Sequence, residues 1–221
     1  MIKHLGIIAD GNRRWAKEQG LPSIEGHKKG LDAIEKLVDA AMENGIEYIT
    51  FYVFSTENWG RSEAEVSYIM KLAETKILSY AKKMREKNGK MVILGSKENV
   101  PKGLAKTIEQ AEEITADCSG ITVGFCFNYG GEQEIVDAAK AAANEGEITK
   151  ESLREHLYHP EIPDVDMVVR TSGEERISGF MLWRSSYAEF MFIKKYFPDM
   201  AGEDIKDIIK EYDSRSRRFG K

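Results

Sequence analysis

Cysteine is nearly missing: Cys118 and Cys126 are the only two in 221 residues. A disulfide framework is therefore excluded, and a cytoplasmic protein with reduced thiols is the expectation. No apolar run approaches the roughly 20 residues of a membrane span, and no leader of the secretory type stands before the first strand signal. Neither GxGxxG nor GxxxxGK[ST] follows an apolar run, which removes the usual glycine signatures of nucleotide-binding folds. Excess positive charge is lacking too. Thirty-two Lys and Arg against 37 Asp and Glu give a net charge of −5, with a pI of about 5.6. No nucleic-acid partner is expected, since that would require a broad basic face, and any anion site must be local. Nor does a repeat, linker or low-complexity tract divide the chain, so one domain over residues 1–221 is expected.

What is present is enough apolar residue, 42%, for a substantial core, arranged in an alternating pattern. Leu5 to Ala9 reads as a buried strand, then Leu31, Ile34, Val38 and Ala41 recur at helical spacing until Asn44-Gly45 stops them. Ile46 to Ser55 is rich in β-branched and aromatic residues, and Val66, Ile69, Met70, Ala73, Ile77, Tyr80 and Met84 mark one stripe of a long helix. Lys90 to Leu94 predicts a strand, Leu104, Ile108, Ala111 and Ile114 a helix, and Ile121 to Phe127 a fourth strand. An alanine-rich helix around Ile135 to Ala143 follows, then strands at Asp166 to Arg170 and Phe180 to Trp183, a weaker one at Glu189 to Ile193, and a helix carrying Ile205, Ile208, Ile209 and Tyr212. Such alternation predicts an α/β domain: a mainly parallel sheet with helices on both faces and ligands beyond the carboxyl ends of the strands.

Those ends are polar. In Ile7 to Trp15, an apolar run breaks into Asp10, Gly11, Asn12, Arg13 and Arg14. Guanidinium forks match phosphate oxygens, and Asp10 would repel such a ligand unless a divalent cation lay between them. The alternative is a helix start capped by Asp10 or Asn12 with solvated arginines, and this stretch alone leaves both open. A second end, Phe54 to Arg61, places Ser55, Thr56, Glu57, Asn58 and Arg61 around Phe54 and Trp59. Ser62 with Glu65 has capping-box spacing there. A third, Arg170 to Ser178, sets Arg170, Arg176 and three hydroxyls around Gly173, as a phosphate loop would or as a surface turn ion-paired to Glu174 and Glu175 would. The fourth is the basic terminus Arg215 to Gly220, which a helix C-terminal dipole also favours. His156 and His159 have a spacing that zinc ligands use but no supporting cluster, and capping or solvated histidines are the alternative.

Together the stretches HLGIIADGNRRWAK, GHKKG, FYVFSTENWGR, FNYGGEQEI, DMVVRTSGEERIS, FMLW, YAEFMF and RRFG resemble, in order and spacing, the cis-prenyltransferase family of undecaprenyl (di-trans,poly-cis) diphosphate synthases. The resemblance covers nearly the whole chain. It implies a six-stranded parallel sheet, an elongated hydrophobic tunnel and a homodimer or heterodimer. The implied reaction condenses an allylic diphosphate with isopentenyl diphosphate, each added unit carrying a new cis double bond. By resemblance, Asp10 holds Mg2+ against diphosphate, while Gly11, Asn12, Arg13, Arg14 and Trp15 belong to the allylic site with His27 beside them. Ser55, Thr56, Glu57, Asn58 and Arg61 fall at the junction of the substrates, with Phe54 and Trp59 walling the start of the tunnel. Arg170, Arg176 and Ser178 match the isopentenyl diphosphate site, Glu189 a residue supporting metal and dimer, and Arg218 and Gly220 a terminal motif that reaches the partner's site. At most a peripheral membrane contact is implied, through a long lipid product.

Four positions depart from the family pattern. Ala9 replaces a methionine and Ser23 an arginine that touches allylic diphosphate. Val53 and Phe127 add bulk where long-chain enzymes carry small residues, which predicts a product shorter than C55. Rival functions are head-to-middle coupling of two allylic diphosphates, motivated by Ser23, and a noncatalytic subunit. The latter is disfavoured because Asp10, Asn12, Arg14, Arg170 and Arg176 are all retained.

Overall fold

Six strands form one sheet in the computed structural model, which describes residues 1–216. They are β1 (His4–Ile8), β2 (Tyr48–Ser55), β3 (Lys90–Leu94), β4 (Thr122–Tyr129), β5 (Met167–Arg170) and β6 (Glu189–Phe192), in the order β3-β4-β2-β1-β5-β6. Every pairing is parallel. The helices are α1 (Asn12–Glu18), α2 (Ser23–Glu43), α3 (Glu63–Glu86), α4 (Lys102–Ile114), α5 (Gly131–Glu145), α6 (Lys150–Glu155) and α7 (Gly202–Ser214).

The two-residue period of the strands sorts the core into layers. On one face Leu5, Ile7, Ile49 and Phe51 pack with Ile34, Leu37 and Val38 of α2 and Ile205 and Ile208 of α7. On the other, Ile8, Tyr52 and Val168 meet Ile162, Val165 and Phe180. All five residues of β1 are buried, as expected for a central strand covered on both sides. Among the described residues, no helix is long and apolar enough to cross a membrane.

One expectation is corrected. Phe180 to Trp183 is a turn, not a strand: Phe180 donates its amide to the Ile177 carbonyl at 2.9 Å and Ser185 to Met181 at 2.8 Å. Phe180 and Met181 are fully buried, and a short apolar run buried in this way gives no period by which to tell strand from turn. The sixth strand is instead Glu189–Phe192. At the histidine pair the structure shows capping and ion pairing. His156 caps α6, and the His159 ring lies 3.1 Å from Glu112 and 3.2 Å from Glu161 as an ion-paired side chain. No group of three or more metal-type ligands converges among the described residues.

Candidate active site

Close helix contact seats the first polar segment, at the start of α1, on α2. A Cβ on Gly26 of α2 would lie 2.0 Å from the Asn12 carbonyl oxygen, and one on Gly30 would lie 2.7 Å from Asn12 Oδ1. The four-residue spacing in GHKKG thus gives α2 a bare stripe on which the start of α1 rests. Gly11 enters α1 at φ +98°, a left-handed conformation that side chains resist, with the Tyr196 ring 2.6 Å from where its Cβ would stand.

Beyond the strand ends lies an open basin of about 1340 Å³. Asp10, Gly11, Asn12, Arg13, Arg14, His27, Ser55, Thr56, Glu57, Asn58, Arg61, Arg170, Arg176 and Ser178 all line it, so residues predicted from four separate segments converge. An apolar cavity of about 250 Å³ adjoins it between α2, α3 and the sheet, lined by Leu31, Ile34, Ile69, Ile77, Phe125 and Phe127 among others. Ala9, Asn12, His27 and Val53 line both spaces and form their junction.

Asp10 is the hub of the first subsite. Its Oδ2 accepts from Arg170 at 2.9 Å and its Oδ1 from the Gly11 amide at 2.6 Å, with Arg14 Nη2 at 3.3 Å. The Thr171 hydroxyl donates to the Asp10 carbonyl at 2.6 Å, which ties the end of β1 to the end of β5. Burial raises the Asp10 pKa, but the hydrogen bond and charge of Arg170, the Gly11 amide and Arg14 outweigh it, and the carboxyl lies below its ordinary range. Arg170, nearly buried, also donates to the Ser178 hydroxyl at 2.8 Å and to the Arg176 carbonyl at 2.7 Å.

Glu65 is a member that sequence reasoning did not place. Its backbone amide fulfils the predicted cap, accepted by Ser62 Oγ at 3.4 Å, but its side chain turns to two arginines and a histidine instead. Arg61 lies at 3.0 Å, His27 at 3.6 Å and Arg13 at 3.7 Å. Burial and then the Arg61 charge lower the His27 pKa against the opposing pull of Glu65, leaving the imidazole neutral near pH 7. Asn58 Oδ1 accepts from the Ser55 amide at 3.1 Å and so fixes the turn Thr56–Gly60 that follows β2.

Three predicted residues are not brought into the basin. Trp15 faces the other side of α1 and donates to Asp199 at 2.7 Å. Trp59 stacks edge-on against Phe54 and donates to Asn128 at 2.7 Å, so it backs the basin wall that Phe54 forms. Glu189 opens β6, three residues before Phe192, which pairs with Arg170; within one chain it is held by Arg215 at 2.9 Å, away from Asp10. Arg218 and Gly220 lie outside the described residues.

The donor set fits diphosphate. Two buried nitrogens of the basin wall, His27 Nε2 and Arg170 Nε, have no hydrogen-bond partner, a state costing about 1–3 kcal/mol per group unless something pairs with it. One carboxylate among several arginines also fits Mg2+, which keeps bound waters and takes phosphate oxygens rather than an all-protein cage.

A parallel α/β domain with cationic strand ends opening onto an apolar cavity defines an enzyme that handles an anionic head with a hydrocarbon tail. Residues 8–220 match the family described as putative undecaprenyl diphosphate synthase, and the chain belongs to this prenyltransferase family. It is similar to the isoprenyl transferases of Listeria monocytogenes serotype 4b, 43% identical over 99% of this chain and 90% of that one, and of Thermotoga maritima, 41% identical over 99% and 96%. Among solved structures it resembles lavandulyl diphosphate synthase from Lavandula x intermedia in complex with dimethylallyl diphosphate, with a TM-score of 0.95 and 31% identity over 100% and 98% of the two chains. A probable undecaprenyl diphosphate synthase from Campylobacter jejuni aligns with a TM-score of 0.87 and 32% identity over 100% and 99%.

Proposed function

We propose that the chain joins an allylic diphosphate to isopentenyl diphosphate by 1'-4 coupling with new cis double bonds, to give a polyprenyl diphosphate shorter than C55. The observation that carries this reading is the junction of Ala9, Asn12, His27 and Val53, where the arginine-lined basin meets the apolar cavity. A diphosphate held on the basin side sends its hydrocarbon through that junction.

Arg13, Arg14 and the start of α1 bind the allylic diphosphate, and Arg170, Arg176 and Ser178 bind that of isopentenyl diphosphate. The allylic C1–O bond breaks, the isopentenyl double bond forms the new C–C bond at C1, and a proton leaves isopentenyl C2. Charge accumulates on the departing diphosphate, where preset guanidiniums are worth most: losing one such donor costs about 10²–10³ in rate. Ser55 and Asn58 orient the substrates between the two subsites, and neutral His27 offers its unpartnered Nε2 as a hydrogen-bonding or proton-transfer group. Mg2+ held by Asp10 and phosphate oxygens supplies further charge neutralisation when bound.

Val53 lines the junction and Phe127 the apolar cavity, and their bulk there favours the shorter product. A homodimer is part of the same reading, with Glu189 and the terminal Arg218 to Gly220 acting at the subunit contact; light scattering of the purified protein tests it. A second reading, head-to-middle coupling of two allylic diphosphates, is favoured by Ser23, which lines the basin where family members carry arginine. The likeness to a synthase solved with dimethylallyl diphosphate also supports it. Mass spectrometry of products from a panel of allylic starters, with and without isopentenyl diphosphate, separates the two: product from dimethylallyl diphosphate alone identifies head-to-middle coupling.

A further inference from the structure

Glu174 stands on the loop after β5, where Ser172 and Gly173 both take positive φ, 74° and 76°. Their amides donate to the carbonyls of Lys195 and Ile193 at 2.8 Å each, so the turn is anchored to the end of β6. From that turn the carboxylate reaches two guanidiniums. Arg14 Nη1 donates to Oε1 at 2.9 Å and Arg176 Nη1 donates to Oε2 at 2.6 Å. One oxygen serves each arginine, and the arginines belong to different halves of the basin, Arg14 on α1 and Arg176 on the loop.

A carboxylate takes from a guanidinium the same hydrogen bonds that a phosphate takes. Glu174 therefore occupies donors that both diphosphates need, while holding two like charges at a fixed separation. It is also partly open to solvent, with 31% of its side chain exposed, so once displaced from the arginines its charge can turn into water and regain hydration. Asp10, locked to Arg170 and the Gly11 amide, has no such freedom.

We propose that Glu174 is a positioning residue of the transfer site, an internal counter-ion that holds Arg14 and Arg176 ready at the two subsites and yields one to each diphosphate. This rests on the diphosphate reading above. The counter-ion competes with the ligand it prepares for, so removing its charge tightens diphosphate binding while leaving the arginines less well oriented for transfer.

Isothermal titration of inorganic diphosphate into wild type and Glu174→Gln, both in Mg2+ buffer, tests this. The variant is expected to bind about five- to tenfold tighter, because one negative charge has left the anion's site, and its kcat for isopentenyl transfer is expected to fall without a rise in KM for either substrate. A merely structural loop role predicts unchanged or weaker binding, and that result overturns the proposal. If Glu174→Gln does not fold, Glu174→Asp, whose shorter stem reaches only one of the two arginines, should bind inorganic diphosphate tighter than wild type by a smaller factor; unchanged or weaker binding again overturns the proposal. Failure of wild type itself to bind inorganic diphosphate would remove the underlying reading, and the counter-ion role with it.

Discussion

Arg170 donates a hydrogen bond to Asp10 at 2.9 Å across 160 residues of sequence. The contact joins the ends of β5 and β1, and it places the carboxylate between cations from both proposed subsites. Because the Asp10 pKa is held below its ordinary value, the unfolded chain takes up this proton first as the pH falls. The stability from the pair is complete above the ordinary aspartate value of about 3.9 and is lost as the pH drops through the folded value. Asp10→Asn should cost about 1–2 kcal/mol near neutrality. In thermal unfolding the gap between wild type and variant should close as the pH is lowered toward about 3; a gap that widens on acidification contradicts the assignment.

His27 should titrate below the ordinary histidine value of about 6.5, because burial and Arg61 outweigh Glu65. A folded pKa depressed in this way means that acid favours the unfolded chain, which binds the proton more readily. An NMR titration with the resonance assigned through His27→Gln checks it. A midpoint at or above the ordinary value would show that Glu65 dominates instead.

Gly26→Ala should damage the site through the backbone. The added methyl would sit 2.0 Å from the Asn12 carbonyl oxygen and 2.7 Å from its carbon, and neither can rotate away. Overpacking of this kind costs about 1–3 kcal/mol, or about 2–4 °C of melting temperature per kcal/mol for a domain of this size. Displacement of α1 should raise KM for the allylic substrate more than for isopentenyl diphosphate. Equal effects on the two would mean that the α1–α2 contact does not position Arg13 and Arg14.

Ser23→Arg restores a guanidinium at the exposed basin rim. It should lower KM for the allylic diphosphate about tenfold, the size of a charge-assisted contact partly screened by water. No change, measured by steady-state kinetics at fixed isopentenyl diphosphate, would show that Lys17 or Arg13 already fills that role.

Val53→Ala widens the junction between basin and cavity and should shift the product distribution to longer chains by mass spectrometry. An unchanged distribution removes Val53 from the account of chain length, and a wild-type main product of C55 removes the account itself.

Periodicity made most of the fold legible. The stripe of Val66, Ile69, Met70 and Met84 is buried along α3, and the Ile46 to Ser55 run contains β2. It failed at Phe180 to Trp183 because four apolar residues in a row carry no alternation for the method to use. The basin was legible as residue types at strand ends, since parallel strands send all those ends to one side. Side-chain direction was not. Trp15 and Trp59 sit in the right segments but face Asp199 and Asn128, and Glu65, explained locally by a helix cap, gave no sign that its carboxylate gathers Arg13, His27 and Arg61. The surface ion-pair alternative for the Arg170 to Ser178 loop is present in the structure beside the basin. Glu174 does pair with Arg176, and with Arg14 160 residues away in sequence.

The most direct test is the rate at which labelled isopentenyl diphosphate enters chain products on an allylic starter with Mg2+, compared between wild type and Asp10→Ala. Wild type should incorporate label into cis-prenyl products, and Asp10→Ala should lose at least about a hundredfold in kcat. No incorporation by wild type with any starter, or equal rates in the two proteins, would contradict prenyl transfer at the Asp10–Arg170 basin.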